Sequence, residues 1–276
     1  KITKEYPSKI KTFEDDGAMN KVVKNYSELS DKTKKELTPY FKRPTDSESY
    51  LYKKIQSTKT AQIQDKRFSL INVANAYDRP VDNKYNEIFR YLDTADKKIR
   101  VWYLYDEAGG TSDSLNKMFL KEAQQVVSDL NKSKAYFKIN SLLKTEPISD
   151  KNLGGDSKLD VYLDPTNKLL KNSTGSSDAN GLNVHDISDG SFFGSSFVII
   201  DPDVMADVLK STVVHEVFHA FQRSFPFDYN KDHWWIEATA VWAENYIYPN
   251  LNDEHKWVSD FVPFPTETLT SVGSHK

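Results

Sequence analysis

The chain has 276 residues, enough for one large domain or a domain with an extension, and carries 37 basic against 40 acidic residues. No basic block is interleaved with aromatics to mark a nucleic-acid surface, and no apolar run approaches the length that spans a bilayer. Hydrophobic residues at 38% and aromatics at 13% suffice for a packed core, while the absence of cysteine excludes disulfides, thiolate metal ligands and cysteine nucleophiles together.

The sequence starts at Lys1 with neither Met nor an apolar signal region, and reads as a mature piece whose targeting segment is not shown. Residues 1–95 are polar and lysine-rich, and are expected to be a helical extension packed on the back of the following domain, with a propeptide as the functional alternative. Ser30 and Asp31 start a helix that Pro39 and Pro44 should break; Tyr50 to Ile55 and Tyr85 to Leu92 suggest two more. The second unit is residues 96–276. Lys98 to Tyr105 is a strand, Ser114 to Leu130 an amphipathic helix, Ala135 to Asn140 a further strand, and Leu159 to Leu163 another. Asp164 to Ser196 is rich in Gly, Ser, Asn and Asp and reads as a long loop. It leads into the strand Ser196 to Asp201.

Asp150, Asp156, Asp160, Asp164, Asp201 and Asp203 raise the question of Ca2+, but they lack EF-hand spacing and read more simply as turn residues and helix caps. His185 with Asp186 and Asp189 reads as part of a solvated loop.

The most informative stretch follows. His215-Glu216-Val217-Phe218-His219 lies in an apolar run free of Gly and Pro until Pro226, so it is expected to be helical. Residues four apart share a helix face, so His215 and His219 can aim both imidazoles at one ion. Glu216 lies about 100° further round, within reach of a water on that ion. Zinc takes such ligands, and a catalytic site uses three protein ligands with one position open. Trp234 to Glu244 reads as a second helix, on which Glu237 and Glu244 are two turns apart on one face. A carboxylate buried among Trp and Ala needs a partner or a metal. Glu237 is the expected third ligand, and Glu244 the group that fixes a histidine ring through its other nitrogen. At least two of Trp234, Trp235 and Trp242 are expected in the core.

HEVFH followed by WWIEATAVWAE resembles the gluzincin zinc peptidases, the clan of thermolysin and the zinc aminopeptidases. A closer resemblance is to a group of secreted bacterial proteins classed as metalloproteases, with a helix ending H-A-x-Q, as in His219 to Gln222, and then W-x-x-E-A-x-A-x-W-x-E. The likeness runs over roughly residues 95–270. It implies an α+β, zincin-like fold, in which a twisted mixed sheet carries the active-site helix and a helical lower part follows. It also implies a secreted or cell-surface metalloprotease with one catalytic Zn2+, acting on protein or peptide substrates with Glu216 as general base. In that clan an edge strand beside the active-site helix pairs with the substrate; Phe197 and Val198, or the Gly-rich segment before them, are the candidates. Tyr246 and His233, with Tyr248 and His255, are candidates for the oxyanion donor by position only. Only a short tail follows Glu244, so the lower wall of the cleft is expected to be incomplete and the chain a fragment of a longer protein. The alternative reading is a catalytically weak or inactive zinc-site binding module of a larger extracellular surface protein. A non-peptide zinc hydrolase is a third.

Overall fold

The structure is a computed structural model that describes residues 25–50, 52–53, 89–105, 114–164, 180–186 and 193–252. A five-stranded mixed sheet lies at its centre. The strands are β1 (Phe89–Asp93), β2 (Ile99–Leu104), β3 (Leu159–Leu163), β4 (Gly181–His185) and β5 (Ser196–Ile200), in the spatial order β1-β2-β3-β5-β4. The three middle strands run parallel, and both outer strands are antiparallel to their neighbours. The helices are α1 (Asp31–Phe41), α2 (Ser114–Ser133), α3 (Ala135–Leu143), α4 (Ala206–Gln222) and α5 (Tyr229–Ile247), after a single 3-10 turn at Tyr26–Glu28. Among the described residues no helix is long and apolar enough to cross a membrane.

Strands β2, β3 and β5 are buried along their whole length, as continuous apolar runs in a sheet covered on both faces should be. Alternate side chains supply two cores. Val101, Tyr103, Val161, Leu163, Val198 and Ile200 face the helices and pack with Val214, Phe218 and Phe221 of α4. Trp102, Tyr162, Leu182, Phe197 and Ile199 face the other way, and Trp102 stacks on Tyr162 with ring centroids 5.9 Å apart.

The N-terminal segment closes that second face. Ser30 caps α1, its hydroxyl accepting from the Thr33 N–H at 3.2 Å. Pro39 does not break the helix, which runs through it to Phe41. The carbonyl its missing N–H would have served belongs to exposed Lys35, on the solvent side of the helix. Arg43, 3% exposed, then enters the sheet's back face. It bonds the carboxylate of Asp160, lies 2.7 Å from Asp186 and 3.1 Å from Asp150, and covers the Phe197 ring. Burial pushes Asp160 up to about 6, against the opposing pull of Arg43 and of the Trp102 indole N–H at 2.7 Å. Asp150 is pushed upward too, by burial. A Cβ on Gly154 would overlap the Asp160 carboxylate, so this turn tolerates no side chain. Thr45 bonds the Tyr162 hydroxyl at 2.9 Å and Tyr52 packs beside the same core.

Several expected elements differ. Phe89 to Leu92 is strand, not helix: β1 pairs in register with β2, from Phe89 opposite Leu104 to Asp93 opposite Arg100. The boundary drawn after residue 95 therefore falls in the turn between two paired strands. Ala135 to Leu143 is helix, not strand, because Ala135, Tyr136 and Ile139 bury one helical face; a left-handed Lys134 (φ 54°) separates it from α2. Tyr50, Tyr52 and Lys53 are helical, while the remainder of that expected helix lies outside the described residues. The expected loop of residues 164–196 contains β4, and in it His185 and Asp186 are buried rather than solvated. Asp189 lies outside the described residues. Four of the six aspartates weighed for Ca2+ have other partners: Asp150 and Asp160 meet Arg43, Asp156 meets Arg100 at 2.6 Å and Lys158, and Asp201 accepts from the backbone N–H of Asp203 at 2.9 Å.

Candidate metal centre

Helix α4 is buried along most of its length, with Val213 to Gln222 all inaccessible. It lies between the sheet and α2, α3 and α5, the position expected of a helix apolar on nearly every face. Helix α5 packs on it through Ile236, Ala240, Ala243 and Ile247, spaced four, three and four apart along one side. Small residues at two of these positions bring the helix axes close, which carries Glu237 and Glu244 to the His-bearing side of α4.

His215, His219 and Glu237 converge there. One ligand atom from each lies within 4.8 Å of the others, so the group can hold a metal ion. His215 Nε2 is 3.3 Å and His219 Nε2 3.6 Å from Glu237 Oε2, and the two rings stand 84° apart. The second oxygen, Glu237 Oε1, is buried without a hydrogen-bond partner. A buried carboxylate oxygen in that state costs free energy unless a cation neutralises it. Donor set and orphaned oxygen both suit a divalent ion with nitrogen and carboxylate ligands. Burial disfavours the His215 cation, but the hydrogen bonds of Glu237 and Glu244 outweigh it and hold the ring's pKa well above the ordinary value. Burial likewise raises Glu237, but the two imidazoles prevail and hold it far below the carboxylate range. The pocket is thus arranged for positive charge beside Glu237.

The distal nitrogens are held as well. His215 Nδ1 lies 2.7 Å from Glu244 Oε1, the role expected of Glu244. Gln222 was noted in the sequence as the end of a motif, without a role. Its Oε1 is 2.6 Å from His219 Nδ1, and its place one turn after His219 on the same helix was the available signal. Glu244→Gln should weaken metal binding about 10–100-fold, because the carboxylate that polarises His215 is lost. Competition with a chromophoric chelator measures this, and unchanged affinity would reduce Glu244 to a packing role.

Glu216 is buried beside the site, next to the first residue of β4. A Cβ on Gly181 would meet Glu216 Cγ at 2.8 Å and Thr212 Cγ2 at 2.6 Å, so glycine makes room for the acid. The backbone carbonyl of Glu216 accepts from Asn183 Nδ2 at 3.1 Å. Asn183 is held in turn by Arg223, through Oδ1 at 2.5 Å and its backbone oxygen at 3.2 Å. Asn183 and Arg223 were not marked by the sequence, and Gly181 only as one glycine of the Gly-rich segment, since their contacts cross between distant segments.

The other candidates are sorted by position. Phe197 and Val198 lie in β5, an interior strand paired with β3 on one side and β4 on the other, so their backbone offers nothing to a substrate. The outer strand beside α4 is β4, within the Gly-rich segment that was the alternative. His233 stays near the centre, its Nε2 3.7 Å from Glu237 Oε1. Tyr246 does not: nine residues after Glu237 it points about 180° away, stacked on Trp242 at 5.1 Å. The Tyr248 hydroxyl is bonded to the Asp129 carbonyl, and His255 lies outside the described residues. At least two of Trp234, Trp235 and Trp242 were expected in the core, but Trp235 and Trp242 are 49% and 48% exposed. They wall an apolar groove of about 620 Å³ with Leu142, Phe218 and Phe225.

No family model matches this chain, and neither the curated proteins nor the solved structures contain a significant match to it.

Proposed function

We propose that this chain is a zinc-dependent peptide hydrolase of the gluzincin type, with a zincin-like fold, that works at or beyond the cell surface. The observation that carries the reading is the convergence of ligand atoms from two buried histidines and the half-buried Glu237, with an orphaned second oxygen on that carboxylate and an acid one residue after the first histidine. Bound zinc supplies a Lewis acid and lowers the pKa of a coordinated water. His215, His219 and Glu237 hold it. Glu216 takes the proton from the attacking water and delivers it to the leaving amine nitrogen. Glu244 and Gln222 keep the two imidazoles in the tautomer that presents Nε2. The outer strand β4 starts against Glu216, and an extended peptide laid along that edge brings its scissile bond to the centre. His233, at the rim, is the candidate donor for the developing oxyanion that lies near the centre among the described residues.

The test is a zinc titration by calorimetry, followed by incubation of the metal-loaded chain with an unfolded protein substrate, with and without chelator. One equivalent of zinc and chelator-sensitive cleavage are expected. Stoichiometric zinc with no cleavage of any peptide in a broad library would favour the binding module. Absence of zinc binding would remove both.

A further inference from the structure

Resting on the reading of a metal centre, we propose that Gln222 is a positioning residue, one that sets the tautomer of His219 and ties it to the helix carrying Glu237. Gln222 is 3% exposed. Its Nε2 lies 2.8 Å from the Ile236 carbonyl and 2.7 Å from Thr239 Oγ1. A backbone carbonyl only accepts, so the Ile236 contact fixes which end of the amide is nitrogen. The oxygen end therefore faces His219 Nδ1 at 2.6 Å. That oxygen also only accepts, so Nδ1 must carry the hydrogen, and in the neutral ring Nε2 is left with its lone pair toward Glu237. Thr239 completes the sequence of bonds. Its hydroxyl donates to the Trp235 carbonyl at 2.7 Å, which leaves a lone pair for Gln222. Every donor in the row points the same way, from His219 through Gln222 and Thr239 to the backbone of α5.

Two consequences follow from this arrangement. Ile236 and Thr239 flank Glu237, so Gln222 links one metal ligand to the backbone around another. The two histidines are also backed unequally, His215 by a carboxylate and His219 by a neutral amide. Glu216, Glu237 and Glu244 already place three acids at this buried centre. A neutral acceptor behind His219 fixes the ring without adding a fourth, and an amide, unlike an ionised carboxylate, can also donate to α5.

The experiment compares wild type, Gln222→Leu and Thr239→Val. Zinc affinity is measured by competition with a chromophoric chelator. The His219 tautomer is read in the metal-free protein by long-range 1H–15N correlation, at a pH alkaline enough to leave the ring neutral. Gln222→Leu should lose about 10–100-fold in zinc affinity and the preference of His219 for the Nδ1–H tautomer. Thr239→Val keeps the Ile236 anchor and should shift both readouts the same way by less; it serves if the leucine variant does not fold. Wild-type affinity and an unchanged tautomer in Gln222→Leu, or in Thr239→Val where that is the folded variant, would overturn the proposal. If the wild type binds no zinc the metal reading fails, yet the tautomer readout still decides the role of Gln222.

Discussion

The Glu216→Gln variant is expected to keep its fold and its zinc and to lose about 10²–10⁴-fold in turnover, the usual contribution of a positioned general base. Glutamine preserves the size of the side chain in the space Gly181 leaves for it. Its amide cannot take a proton from water at neutral pH. Glu216 is also absent from the converging ligand set, so metal content should not change. Steady-state cleavage of an unfolded protein, zinc content and thermal midpoint are measured together on wild type and variant. Equal turnover in the two would show that proton transfer runs through another group.

The largest stability effect is expected away from the metal, at Arg43. Arg43→Met removes the guanidinium that bonds Asp150, Asp160 and Asp186 and leaves buried acids facing one another. Breaking a buried ion pair from one side costs about 3–5 kcal/mol. For a domain of this size that lowers the thermal midpoint by about 6–20 °C. The loss should depend on pH. Without Arg43, burial holds the folded-state pKa values of Asp150 and Asp160 above their unfolded values, so the folded chain binds more protons. Stability is then retained below the unfolded pKa and lost as pH rises through the folded one. The deficit relative to wild type should be smaller near pH 5 than near pH 8. A midpoint unchanged by the substitution would mean that residues 25–53 are an appendage after all.

The group that can hold a metal ion was legible in the sequence because a helix converts spacing into geometry. His215 and His219 share a face whatever the rest of the fold does, and so do Glu237 and Glu244. Glu237 as third ligand needed one more inference, that two helices close in sequence pack together. The edge strand was harder to find. β4 is a five-residue strand in a Gly-, Ser- and Asp-rich stretch, with glycine at its first position, so composition hid it. Phe197 and Val198 were candidates because the resemblance implies an edge strand beside the active-site helix, whereas their continuous apolar run is the mark of an interior strand. β1 lacked a strand signal because one residue, Phe89, is fully buried while the next four are partly or wholly exposed. Arg43 meets Asp160 across 117 positions, and no local pattern announces such a pairing.

His215 and Glu237 are only 22 positions apart, and Gln222, Thr239 and Glu244 lie on the same two consecutive helices. The sheet, by contrast, is knit from segments spread between Phe89 and Ile200. Loop-closure entropy is therefore small for the hairpin of α4 and α5 and large for the parallel strands, which places the ligand pair among the fast, short-range events of folding. If the proposed function holds, zinc would meet a partly formed hairpin before the sheet is complete. Affinity for that early species would then subtract from the stabilisation the ion gives the finished protein, and refolding with zinc present would become a competition between templating the hairpin and trapping it.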